Sequence, residues 1–248
     1  MAIIAQKLTP LEQAIVGHIS RYRLTVETAV ANRVLPPPHD PELAKGLLGR
    51  LQRLGIVGRS PLYGQEMCYW LARSAAEQLE LAEMPALAGG VVDSHVGPLA
   101  ETAKVRAFGM LAFCCFGKVQ RELLTREELA HAWPSLIRPG LPLSFYRDVS
   151  QPNRWGFARV DLNGSGKWDR IVQKVVHDGM RFLKDRDFRA MMDAGDFEIA
   201  LITATNRKVQ RIETAWGETP HVRSIPLRVV AVPELVQLVG VPKHQLPW

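Results

Sequence analysis

The sequence predicts an α+β chain of two domains, with three helices and a β-hairpin first and a mixed α/β region after them. Three observations carry this expectation. Three N-terminal segments place apolar residues at helical spacing, two of them behind a capping residue and a proline. Two β-prone runs around Tyr63-Gly64 follow at once. Beyond a Gly89-Gly90 joint, strand-like and helix-like runs alternate. The expected domains are residues 1–90 and 91–248, with residues 74–88 as a linker helix.

Thr9-Pro10-Leu11-Glu12 opens the first helix. Thr9 can cap it, Pro10 suits its first position, and Glu12 can close a capping box. Leu11, Ile15, Val16 and Ile19 share one face. Thr25 begins a second helix with Val26, Ala29, Val30 and Val34 inward. Leu35-Pro36-Pro37-Pro38-His39 is a stiff connector, because prolines cannot continue a helix. Asp40-Pro41 repeats the cap-and-proline start. The third helix is expected to turn Leu43, Leu47, Leu48, Leu51 and Leu54 inward and to end at Gly55. Its other side then shows Lys45, Arg50, Gln52 and Arg53. Ile56–Arg59 and Met67–Leu71 read as a hairpin around a turn region 60–66.

Helix, helix, helix, hairpin is the order of a winged helix-turn-helix. In that arrangement the third helix enters the DNA major groove and the hairpin lies beside the backbone. Lys45, Arg50, Arg53, Arg59 and Gln65 are the expected DNA-binding residues. The formal net charge of +6 suits a polyanionic partner, but the surplus is spread along the chain and forms no basic tail.

Gly49-Arg50-Leu51-Gln52-Arg53-Leu54-Gly55-Ile56-Val57, with Cys68-Tyr69-Trp70-Leu71-Ala72-Arg73-Ser74-Ala75-Ala76-Glu77, resembles the opening domain of the replication-relaxation family of plasmids and other mobile elements. His95–Phe113, Leu136–Gly140 and Phe157–Asp161 resemble that family's later helix and two strand motifs, followed by a helix containing Lys174. The resemblance implies a DNA-binding regulator or accessory factor of plasmid or mobile-element replication, transfer or transcription. It also implies a restriction-endonuclease-like second domain.

The second half is consistent with that order. Leu141–Val149 and Trp155–Leu162 read as strands. Lys167–Leu183 reads as a helix with Trp168, Ile171, Val175, Met180 and Phe182 as its apolar positions. Phe197–Ala204 reads as a buried strand, Asn206–Trp216 as a helix, Pro226–Val232 as a strand and Pro233–Val239 as a short helix. Nucleases of this kind hold Mg²⁺ with an acid after one strand and an acidic pair on the next. Here Pro139-Gly140 and Arg159-Val160-Asp161 stand at those places, so Asp161 is the one weak metal candidate, with Asp148 usable only in a shifted register. The expectation is a catalytically inactive domain with no cofactor; a metal-dependent nuclease or nicking enzyme is the alternative.

Asn163-Gly164-Ser165-Gly166-Lys167 lacks the phosphate-loop spacing, yet Ser165 and Lys167 could hold one DNA phosphate at a helix start. His177-Asp178 reads as a solvated pair. Cys68, Cys114 and Cys115 form neither a disulfide framework nor a zinc pattern, and no segment is long enough to span a bilayer. The expected partners are double-stranded DNA, a second copy of the chain and a co-encoded protein, in the cytoplasm and without a membrane. A protein-docking winged helix in a transfer or replication assembly is the remaining alternative.

Overall fold

The computed structural model describes residues 8–75, 97–134, 144–151, 153–162, 168–219, 222 and 224–239. The chain divides into two compact units, Met1–Leu111 with Leu124–Leu143, and Ala112–Leu123 with Ser144–Trp248. The Gly89-Gly90 joint and nearly all of the 74–88 linker lie outside the described residues. No described helix is long and apolar enough to cross a membrane.

The first unit opens with helices α1 (Pro10–Tyr22), α2 (Glu27–Arg33) and α3 (Pro41–Arg53). Strands β1 (Val57–Tyr63) and β2 (Glu66–Leu71) pair antiparallel after them. The capping box at Thr9 forms as the sequence predicts: Glu12 N–H donates to the Thr9 hydroxyl at 3.3 Å, and Thr9 N–H to Glu12 at 2.9 Å. Gly55 ends α3 with φ 71°, a conformation glycine adopts without strain. The hairpin is tighter than the 60–66 turn region expected, because β1 runs on to Tyr63 and leaves Gly64-Gln65 as the tip.

One core joins these elements, with Ile15, Val16, Ile19, Val30, Leu48, Leu51, Ile56, Tyr69 and Leu71 all buried. The start of α2 is tied to the hairpin by two backbone bonds between Thr25 and Tyr69, each 2.9 Å. The connector folds back on α2, with the His39 ring bonded to the carbonyls of Ala31 and Leu35 at 3.1 and 2.9 Å. That bond fixes where α3 begins. Helix α4 (Glu101–Cys115) and helix α5 (Arg126–Ala132) follow. Arg21 grips Glu128 of α5 with two bonds of 2.7 and 2.8 Å.

His18 sits on the buried side of α1, its ring 4.8 Å from that of Tyr22 and its Nε2 without a hydrogen bond among the described residues. Burial, and then the charges of Arg21 and Arg33, push its pKa from 6.5 down to about 3. The folded chain therefore takes up this proton less readily than the unfolded one. Stability from this group is complete above about pH 6.5 and is lost as pH falls toward 3. Each pH unit within that window costs up to about 1.4 kcal/mol. His18→Phe is expected to flatten the fall of melting temperature across this range; equal slopes in variant and wild type would contradict the assignment.

The second unit is a five-stranded mixed sheet in the order β3 (Arg121–Leu123), β4 (Phe145–Asp148), β5 (Trp155–Val160), β6 (Phe197–Thr203), β7 (Leu227–Ala231). The first three strands are antiparallel, and β6 and β7 run parallel to β5. The parallel pairs need crossovers, which α6 (Trp168–Leu183), α7 (Arg186–Ala194) and α8 (Asn206–Gly217) supply. A 3₁₀ turn, Pro233–Gln237, stands where a short helix is predicted. Strand β6 is buried at every position. Phe145, Phe157, Phe182, Phe188 and Phe197 cluster between the sheet and α6–α7, with ring centroids 4.8 to 6.3 Å apart.

Candidate nucleic-acid interface

Helix α3 is amphipathic, but rotated from the expected register. Its buried face is Ala44, Leu48 and Leu51, packed in the core against α2. Leu47 is half-buried, while Leu43 and Leu54 are 46% and 38% exposed. The inward placement expected of those last two leucines is therefore wrong. The five leucines fan over an arc of roughly 140°, and the layer beneath covers only the side of it nearest Ala44, Leu48 and Leu51.

The rotation brings two glycines to the outward side. Gly46 is exposed and Gly49 half-buried, and nothing lies within 4 Å of where a Cβ would stand on either. Glycine inside a helix costs about 1 kcal/mol relative to alanine, so two on one outward face are an expense the fold itself does not require. Sequence reading passed over them; glycines three apart within an otherwise regular helix were the available signal.

The predicted cations around this face differ in how free they are. Lys45 is exposed and lies 3.4 Å from Glu42, a pair too solvated to hold it. Arg50 is 45% exposed, with Nη1 3.0 Å from the fully buried Glu12 carboxylate. Glu12 also accepts from Thr9, so one acid serves the α1 cap and anchors an α3 arginine. Arg53 is exposed and makes no ion pair among the described residues.

On the hairpin, Arg59 is exposed and cross-strand from Tyr69. The Tyr69 hydroxyl donates to Glu27 at 2.8 Å. Burial and then that bond push Tyr69 up to about 12, and an Arg59 hydrogen bond opposes them. Burial and the neighbouring Glu27 also raise the Glu66 carboxyl. Arg59 thus stands among acids rather than alone. Gln65 is exposed at the hairpin tip, next to Gly64 with φ 53°.

The second-unit candidates have separate fates. Ser165 and Lys167 lie outside the described residues, as do Pro139-Gly140. Asp161 follows β5, is 2% exposed and forms an ion pair with Lys208 of α8. Asp148 is buried and accepts from Ser150 N–H and hydroxyl at 2.9 and 2.6 Å. Burial alone would raise its carboxyl, but the Ser150 bonds prevail and hold it below the ordinary value. Among the described residues, no three His, Cys, Asp or Glu side chains are grouped as a metal site. The solvated His177-Asp178 pair is corrected: His177 is exposed, but Asp178 is buried and bonded to Arg159. The three cysteines are buried and form no disulfide among the described residues.

Comparison of the whole chain with protein-family models, with curated proteins and with solved structures found no match.

Proposed function

We propose that the first unit is a winged helix-turn-helix that grips duplex DNA, and that the protein is a regulator or accessory factor of plasmid or mobile-element replication, transfer or transcription. The observation that carries this reading is the outward side of α3. There, exposed Lys45, Arg50 and Arg53 flank Gly46 and Gly49, whose missing side chains let a groove wall approach the helix backbone. The hairpin follows α3 directly and carries Arg59 and Gln65, the placement a wing requires. The second unit reads as a restriction-endonuclease-like body without catalysis, serving dimerisation or a partner. Its antiparallel-then-parallel strand order, and the engagement of Asp161 by Lys208, support that part. The short motifs shared with replication-relaxation proteins supply the biological setting.

A protein-docking reading draws on exposed Leu43 and Leu54, apolar positions a co-encoded partner would cover. Salt separates the two, because phosphate contacts release counterions and leucine contacts do not. Titration of a labelled duplex with wild type and a Lys45→Gln/Arg53→Gln variant is the test. Each lost phosphate contact is expected to lower the log–log salt slope by about 0.9. Arg50 is left intact, since removing it strands Glu12 and confuses folding with binding. Equal affinity and equal slope in both proteins would remove the DNA assignment.

A further inference from the structure

We infer that the exposed face of α6 is a further contact for duplex DNA, a row of basic side chains that follows the phosphate backbone; this rests on the DNA-binding reading of the first unit. Helix α6 buries Ile171, Val172, Val175, Asp178, Gly179 and Phe182. Arg170, Lys174, His177 and Arg181 then fall at i, i+4, i+7 and i+11, and all four are exposed. At 100° per residue these positions occupy one narrow stripe. It runs about 16 Å along the axis, at 1.5 Å per residue, and Lys184 continues it just past the helix end.

The stripe differs from an ordinary solvated helix face in having no acids within it. The exposed acid of α6 is Asp169, which lies to one side of the row, roughly 80° or more around the helix from each of its four members, and Asp178 is buried beneath on Arg159. None of Arg170, Lys174, Arg181 or Lys184 makes an ion pair or side-chain hydrogen bond among the described residues. Like charges four apart on a helix destabilise it, and Arg170 stands in the first turn, where the helix dipole disfavours a cation. Folding gains a little at Arg181, which lies over the Phe182 ring and in the last turn of the helix, but nothing from Arg170 beside Lys174. A ligand carrying a regular line of negative charge gains from the whole row, and a duplex strand repeats its phosphates every 3.4 Å of axis, so the stripe matches roughly five base-pair steps.

The experiment is a salt titration of a random-sequence, fluorescein-labelled duplex against the full chain. The variants are Lys174→Gln/Arg181→Gln, the charge-keeping Lys174→Arg/Arg181→Lys, and Lys45→Gln/Arg53→Gln on α3. All substituted side chains are exposed, and equal melting temperatures check that folding is intact. The Gln pair on α6 is expected to lower the salt slope by about 2 and affinity on the order of 50-fold at 0.1 M salt, while the charge-keeping pair matches wild type. If the α3 variant loses affinity but the α6 Gln pair does not, the stripe assignment is overturned and the first-unit reading stands. If wild type fails to bind the duplex at low salt, the first-unit reading itself falls. If polyglutamate displaces the duplex and binds the stripe as tightly, an acidic protein rather than DNA is its partner, and the inference is overturned.

Discussion

Replacing Asp161 with Ala is expected to destabilise the fold by about 3 kcal/mol or more, and Lys208→Met in the same chain to restore most of the loss. The two side chains pair where β5 ends and α8 begins, and both are buried, at 2% and 8% exposure. Removing the acid leaves an ammonium in a site that water cannot reach. Removing both charges leaves a somewhat smaller apolar pair, which costs far less than a buried charge without its partner. Lys208 lies in the first turn of α8, so loss of its partner also disturbs the Thr205 cap, whose hydroxyl accepts from Lys208 N–H at 3.3 Å. The measurement is the denaturant midpoint of the single and double variants. The metal-ligand alternative for Asp161 gives a different pattern: Asp161→Asn abolishes Mg²⁺-dependent cleavage of supercoiled plasmid and leaves the midpoint unchanged. A wild-type midpoint for Asp161→Ala would contradict the structural role assigned to the pair.

Gly156→Ala is expected to be comparably damaging, at about 3 kcal/mol. Gly156 lies between Tyr146 of β4 and Glu198 of β6 in the sheet register. A Cβ there would overlap the Tyr146 ring. That ring cannot move aside cheaply: it is 2% exposed, meets Phe113 edge-on at 5.0 Å, and donates its hydroxyl to Glu198 at 2.7 Å. Burial and then the Glu198 charge hold the phenol well above its ordinary pKa, so it remains a donor throughout the neutral range. Glu198 is also engaged by Arg154 at 2.8 Å and Arg228 at 2.8 Å. Overpacking alone costs about 1–3 kcal/mol, and separating a buried carboxylate from its phenol donor adds to it. Tyr146→Phe removes only the hydroxyl and should cost about 1 kcal/mol. A Gly156→Ala midpoint equal to that of Tyr146→Phe would show that the ring gives way, contrary to the close approach described.

The residues that made the first unit legible were those with local rules. Thr9, Pro10 and Glu12 wrote the start of α1, and Asp40-Pro41 that of α3, because capping depends on neighbours in sequence. Gly55 marked where α3 stops for the same reason. The rotation of α3 was not legible. Which of five leucines is covered depends on the width of α2 and the hairpin beneath, a property of the assembled core. Met180 fails similarly: it is apolar and spaced as though inward, yet 44% exposed.

In the second unit, the central strands and the long helix were readable from apolar runs and period, but α7 and β3 were missed, as was α5 of the first unit. Helix α7 buries only Phe188 and Met192, four residues apart within a charged segment, so its hydrophobic signal is slight. Its punctuation was present, since Asp185 caps it and Gly195 closes it with φ 79°. Sequence places Asp178 in solvent because charge usually means surface. The clue was Arg159, a cation inside an apolar strand that needs a buried acid from an element packed over it. The cation row of α6 was visible only after the buried face of the helix was known, because its meaning lies in which side of the helix is left outward.

The central claim is that the outward side of α3 meets duplex DNA, and site-specific photocrosslinking tests it most directly. A benzophenone side chain placed at exposed Leu43 of α3 is compared with one at exposed Glu127 of α5. The account predicts a protein–DNA adduct from position 43 that fades as salt rises, and none from position 127. No adduct from 43, or equal yields from the two positions, would contradict it.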